Sequence, residues 1–164
     1  MTSQIFIVTD PAYCRHQTGP GHPEQPARTL VIDQMLKRIG LTSVRPRAAV
    51  EADLLLCHTL PYIQLVQREV AALKDSNAIA PLSTGDVVIS ADSLEAALLA
   101  AGGVLTAIDR VFRVPNSKAF CVVRPPGHHA CASRGMGFCL FNNVAIGARY
   151  AQKKYGIQKV LIAD

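Results

Sequence analysis

The order of elements over residues 119–164 constrains the fold more than any other feature of this chain. Ala119 to Val123 is a short apolar run that reads as a strand. A loop rich in Gly and Pro follows. Asn142 and Asn143 then open a helix with Val144, Ala148 and Ala151 on one face, Lys153 and Lys154 in its last turn and Gly156 at its end. Lys159 to Ala163 is a second apolar run. Strand, helix, strand in this order is a βαβ unit, which lays two parallel strands in one sheet through a right-handed crossover. Sheets built this way bind ligands outside the carboxyl ends of their strands. His128 and His129 follow the first of these strands and Asp164 follows the second, so the pattern puts all three at one crevice.

The rest of the chain supplies layers for that sheet. Gln4 to Val8 is β-branched and aromatic and reads as a buried first strand closed by Thr9, Asp10 and Pro11. Pro26 opens a helix running to about Ile39, with Ile32, Met35, Leu36 and Ile39 as its apolar face and Gly40 after it. Arg45 to Val50 reads as a weak strand, confined to a sheet edge because Pro46 has no N–H to donate. Glu51 to Cys57 is a short helical segment. Thr59 and Pro61 start another helix whose buried stripe is Ile63, Val66, Val70 and Leu73. Lys74 to Asp86 reads as a surface loop.

Residues 94–108 are nearly all apolar. A membrane span needs roughly 20 such residues; this run is shorter, contains Glu95 and is closed by Asp109 and Arg110. It therefore reads as a buried helix, opened by a capping-box-like Asp92 and Glu95. Gly102 and Gly103 inside it each cost about 1 kcal/mol relative to Ala, which close packing against a neighbouring element explains. No internal repeat, low-complexity stretch or interior boundary appears, so a single domain is expected over residues 1–164.

Composition excludes several classes. Apolar residues make up 49% and charged residues 18% of the chain, a globular balance. The net charge of +5 is scattered, and no run reaches about five or six like charges, which speaks against a nucleic-acid-binding module. The N-terminus, MTSQIFIVTD, has no basic region, long apolar core or cleavage site of a signal peptide. The five cysteines form no CxxC pair and are odd in number, which points to a reducing, cytoplasmic setting and not to a disulfide scaffold. A Cys/His zinc site involving Cys131 and Cys139 is disfavoured because structural sites show short paired spacings.

The chemistry is concentrated in residues 124–143, RPPGHHACASRGMGFCLFNN. Adjacent side chains on an extended segment point to opposite sides. Aiming both imidazoles into one cleft therefore requires a turn, which Pro125, Pro126 and a Gly127 at positive φ can provide. Two histidines in one site can divide proton transfer and electrostatic support between them, each oriented by a carboxylate behind it. An isolated pair is equally compatible with a surface loop or a hydrogen-bonded structural role. His58 has no reactive neighbour in sequence and reads as structural; His22 reads as a structural residue of its loop.

RPPGHHA followed by GFCLFNNVAIGARYA resembles the active-site signature of the zinc-dependent histone deacetylase family, which includes acetylpolyamine amidohydrolases and acetoin-utilisation proteins. GPGHPEQPAR, residues 19–28, resembles that family's early GHPERPER segment, and VLIAD, residues 160–164, resembles the strand leading into its metal-binding Asp-x-Asp-x-His-His segment. The resemblance implies a three-layer α/β fold of the arginase/deacetylase kind, with a mainly parallel sheet and helices on both faces, here truncated to the N-terminal part of one deacetylase domain. It implies hydrolysis of acetyl amides, with acetyl-lysine or a small acetylated amine as substrate. His129 matches the general base and acid, His128 its charge-stabilising partner, and Asp164 the carboxylate behind His128. Phe138 matches an aromatic wall of the acyl-lysine channel, although an ordinary core aromatic fits the residues as well. Gly137 matches a close-approach position whose carbonyl is free for substrate, Asp86 a rim aspartate, and Arg28 an arginine lining an internal channel. For Asp86 the alternative is a solvated loop carboxylate, and for Arg28 a surface arginine in a helix's first turn.

In the family, zinc belongs to the complete domain. Its ligands, two aspartates and a histidine, and the catalytic tyrosine lie beyond the matched residues, so no metal ligand is expected in this chain. The expectation is a front part that is inactive alone and completed by a C-terminal half. The alternative is a non-catalytic scaffold that keeps the family's frame for binding.

Overall fold

The structure is a computed structural model describing residues 4–164; Met1 to Ser3 of the N-terminal reading lie outside the described residues. β1 (Gln4–Val8) is the central strand of a three-stranded parallel sheet. On one side it pairs with β2 (Ser43–Val44) and on the other with β5 (Ser117–Cys121), Gln4 opposite Ser117 and Val8 opposite Cys121. Phe6, Ile7 and Val8 are consecutive and all buried. That run is what a strand covered on both faces requires.

Two helices supply the covers. On one face Leu36 of α1 (Ala27–Arg38) joins Ile7 and Val122 in a small cluster. On the other lies α4 (Ser93–Arg113). A Cβ on Gly103 would stand 3.1 Å from Val123 and 3.5 Å from Val8, and one on Gly102 would stand 1.9 Å from the Arg47 carbonyl oxygen. The two glycines thus let α4 press directly against strand side chains and a neighbouring backbone. The main core is formed between α2 (Glu51–Leu54), α3 (Leu60–Ala71), α4 and α5 (Asn143–Tyr155), with Leu54, Ile63, Val66, Leu105, Phe141 and Ile146 at its centre. A small antiparallel hairpin of β3 (Ala80–Pro81) and β4 (Val88–Ile89) bridges α3 and α4. Among the described residues no helix is long and apolar enough to cross a membrane.

Several local expectations are corrected. Of the α1 stripe only Leu36 is buried; Ile32, Met35 and Ile39 are exposed, because no described layer covers them. No strand forms over Arg45–Val50. Arg47 donates its N–H to the Thr106 hydroxyl and Ala49 to the Leu98 carbonyl, so this segment spends its donors on α4. Asp92 makes no capping hydrogen bond; Ser93 Oγ accepts from the Ser90 N–H, and Glu95 pairs with Arg15.

The largest difference is at the end of the chain. Lys159 to Ala163 does not form a strand, and the βαβ unit is not closed. The left-handed Gly156 ends α5, and the segment runs over α4 and α5, leaving Leu161 91% exposed. A strand apolar on both faces gains little as an uncovered edge.

Candidate active site

The candidate site begins where β5 ends. Arg124 is fully buried, and the peptide bond to Pro125 is cis. Gly127 does not take positive φ as expected. Its role is close approach: a Cβ there would stand 2.5 Å from the Asn143 nitrogen. The Asn143 amide donates to the Pro125 carbonyl at 3.2 Å. The Asn142 side chain caps α5 by accepting from the Ala145 N–H, and its NH2 group donates to the carbonyls of Ala130 and His128 at 2.9 and 3.3 Å. The two asparagines therefore fasten the histidine turn to the head of a helix, which fits a supporting and not a reactive role.

The turn places the rings of His128 and His129 with centroids 4.1 Å apart at an interplanar angle of 74°. Both are exposed. His128 Nδ1 lies 3.3 Å from Asp164 Oδ1, the pairing expected from sequence. His128 and Asp164 line a cavity of about 550 Å³ whose floor is the facing sides of α4 and α5, including Val104, Ile108 and Ala148.

His129 faces a second loop. A Cβ on Gly137, which sits at φ +56°, would stand 2.4 Å from His129 Cδ2, so only glycine allows the ring this close. The Gly137 N–H donates to Asp86 Oδ1 at 2.6 Å. Asp86 is thus not merely solvated: it ties the hairpin loop to the loop at His129. Gly85 approaches the Gly135 carbonyl just as closely, and the Gly135 N–H donates to the Thr84 hydroxyl at 3.3 Å. The Gly137 carbonyl is not free as expected. It accepts from the Cys139 thiol at 3.3 Å, which leaves its second lone pair for a ligand. Phe138, at φ +66°, is half-buried, and its ring meets the His22 ring edge-on at 4.6 Å.

Arg28 is exposed and lines a separate cavity of about 190 Å³ with Glu24, Thr29, Arg124 and Pro126, away from both histidines. Of the expected residues, the structure therefore brings together His128 with Asp164, and His129 with Gly137 and Asp86. Phe138 adjoins the latter group, and Arg28 stands behind the proline turn.

A buried polar chain behind the turn has no counterpart among the expected site residues. Arg124 Nε donates to Glu24 Oε1 at 2.6 Å, with side chains 1% and 2% exposed. Glu24 Oε2 is 3.5 Å from His16 Nε2, and His16 Nδ1 is 2.6 Å from Ser93 Oγ. Burial pushes the Glu24 carboxyl up, but the nearby His16 ring, the hydrogen bond from Arg124 and the Arg124 charge more than offset this, so it ends below the ordinary range. Burial pushes His16 below its ordinary range against the opposing pull of Glu24. The signal was present in the quoted motifs, since Glu24 and Arg124 lie within them, but their contact spans one hundred positions. His58 is structural as expected: it is buried, and its Nε2 accepts from the Asn142 N–H at 2.9 Å.

Among the described residues no group of three or more His, Cys, Asp or Glu side chains could hold a metal ion. Cys139 is buried, and desolvation raises its thiol pKa, the opposite of what a thiolate ligand needs.

The sequence model described as "Histone deacetylase domain" matches residues 22–164. Histone deacetylase 5 of Arabidopsis thaliana is 36% identical over 172 residues, a match covering 98% of this chain and 26% of that protein. Polyamine deacetylase HDAC10 of Danio rerio is 35% identical, covering 100% of this chain and 26% of that protein. The solved structure described as "Crystal Structure of HDA15 HD domain" superposes with a TM-score of 0.78 at 29% identity, covering 93% of this chain and 44% of that chain. The chain thus spans about a quarter of the length of these two relatives and under half of the solved domain. With a domain match over most of its length and a fold that agrees, the chain belongs to the histone deacetylase family.

Proposed function

We propose that this chain provides the proton-transfer side of an amidohydrolase site that removes acetyl groups from acetyl-lysine or from a small acetylated amine. The observation that carries the reading is the placement of the two imidazoles. One is backed by a carboxylate, and the other is held against a glycine that permits nothing larger.

These positions support the following roles. Water adds to the acetyl carbonyl carbon, and His129 Nε2 or Nδ1 takes the proton released. When the carbon–nitrogen bond breaks, the same ring returns that proton to the leaving amine, giving acetic acid and a free amine. His128, facing Asp164, supports the charge that develops beside it. Phe138 offers an apolar wall to the methylene stem of a lysine or polyamine. The second lone pair of the Gly137 carbonyl and the free oxygen of Asp86 are positioned to accept from substrate N–H groups. Arg28 serves the separate cavity behind the turn. Zinc, general in the family, would supply carbonyl polarisation and water activation where it is bound; the described residues offer it no complete donor set, so its ligands would come from the remainder of a family domain.

The test compares this chain alone with this chain joined to the remainder of a family deacetylase domain, using an acetyl-lysine peptide and an acetylated polyamine. The expected result is negligible turnover alone and metal-dependent turnover on completion, lost in His129→Ala. No turnover on completion, with a folded product, would leave the scaffold reading in its place.

A further inference from the structure

We propose that Glu24 and Arg124 are positioning residues that hold the His128–His129 turn in register with the loop carrying His22, an inference that rests on the deacetylase reading. Arg124 immediately precedes the turn. Its Nε donates to Glu24 Oε1 at 2.6 Å, and its Nη1 donates to the carbonyls of Tyr13 and His16. On the far side of the turn the carbonyls of Pro125, His128 and Ala130 are held by Asn143 and Asn142. The segment is therefore clamped at both ends, to the N-terminal loop by Arg124 and to the head of α5 by the asparagines. Glu24 lies two residues from His22, and its N–H donates to His22 Nδ1 at 3.1 Å, while the His22 ring rests on Phe138. One buried pair thus links the proton-transfer residues to the expected channel wall.

Stability alone does not account for the pair. Burying two opposite charges costs desolvation that their attraction barely repays, and well-packed apolar replacements are often neutral or stabilising. Here the pair is incompletely satisfied: Arg124 Nη2 and Glu24 Oε2 are buried with no protein hydrogen bond, although Oε2 keeps its 3.5 Å contact with His16. A guanidinium fork fixes direction as well as distance, which an apolar contact cannot do. What the pair provides is orientation.

The test uses the chain joined to the remainder of a family domain and two variants, Arg124→Lys and the double variant Glu24→Leu with Arg124→Met. The double variant is expected to stay folded and to unfold cooperatively in urea, with a midpoint lowered by the loss of the Arg124 donor to the Tyr13 and His16 carbonyls. Its kcat falls about tenfold, as misplacement of a proton-transfer group requires, while KM stays within about twofold. The pH profile of kcat/KM shifts. Arg124→Lys, which keeps the charge and loses the fork, gives an intermediate loss. Unchanged kcat and pH profile in a folded double variant would overturn the proposal. So would activity falling only in proportion to the unfolded fraction. If the wild-type protein hydrolyses neither an acetyl-lysine peptide nor an acetylpolyamine, the deacetylase reading fails separately. Positioning is then read from the NMR ring resonances of His128 and His129 in this chain. They are expected to move in folded Arg124→Lys, and unmoved resonances overturn the proposal.

Discussion

His128 Nδ1 stands 3.3 Å from Asp164 Oδ1, joining the turn after β5 to the segment after α5. The contact forms although that segment takes no place in the sheet. With side chains 46% and 72% exposed, the two groups remain screened by water. An exposed pair of this kind contributes at most about 1 kcal/mol, so Asp164→Asn should lower the stability of this chain by no more than that. Urea unfolding checks this; a loss of about 3 kcal/mol or more would mean that water does not screen the pair.

Removing the histidines separates their roles. His129→Ala is expected to lower kcat about 10²–10⁴-fold, the range for loss of a general acid–base group. In the chain joined to the remainder of a family domain, His128→Ala should cost less, because under the proposed assignment that ring supports charge and transfers no proton. Rates of the two variants with one acetyl-lysine peptide decide the order, and the reverse order would exchange the assignments.

Gly102→Ala should destabilise the fold without touching the site. Its Cβ would stand 1.9 Å from the Arg47 carbonyl oxygen and 2.7 Å from the Ala49 nitrogen, both backbone atoms that cannot swing aside. The better helix propensity of alanine, worth about 1 kcal/mol, is outweighed by overpacking of about 1–3 kcal/mol or more. A urea midpoint equal to or above wild type would show that α4 can move away from residues 47–49.

Stability should fall on mild acidification. His16 and His58 have folded pKa values lowered, in both cases chiefly by burial. A lowered folded value means that the unfolded chain binds more protons, so the contribution is present above the unfolded value of about 6.5 and is lost as pH falls through the folded value. Glu24, also lowered in the folded state, adds a further loss at more acidic pH. The melting temperature measured from pH 8 to pH 5 should therefore drop below about pH 6.5, and less steeply in His16→Gln. A flat profile would contradict the buried neutral state of both rings.

The exposed apolar surface should drive self-association of the chain alone. Ile5, Phe120, Val160, Leu161 and Ile162 are all exposed, and large apolar patches on soluble proteins are usually covered by a partner. Sedimentation velocity should show species above monomer that increase with concentration. A monomer that unfolds cooperatively at every concentration tested would refute this.

Local readings from the sequence held where near neighbours decide the conformation. The first strand, the capping Asn142 and the left-handed Gly156 all follow from rules that act within a few residues. The histidine turn was legible for the same reason, although it forms through a cis proline bond with Gly127 packed on Asn143, and not through positive φ. The strand expected over Lys159–Ala163 was not realised, because apolar content marks a segment for burial without specifying what will cover it. The α1 stripe failed likewise, with only Leu36 finding a partner.

The sequence by itself determined the chemical inventory: two adjacent histidines, the loops around them, and the motifs through which the family is recognised. Only the tertiary structure decided which groups meet. Glu24 reaches Arg124, His22 reaches Phe138 and Asp86 reaches Gly137 across 51 to more than one hundred positions. No local propensity encodes such pairs. A buried charge must find its partner in space, and a close backbone approach depends on how two loops are carried by the core beneath them.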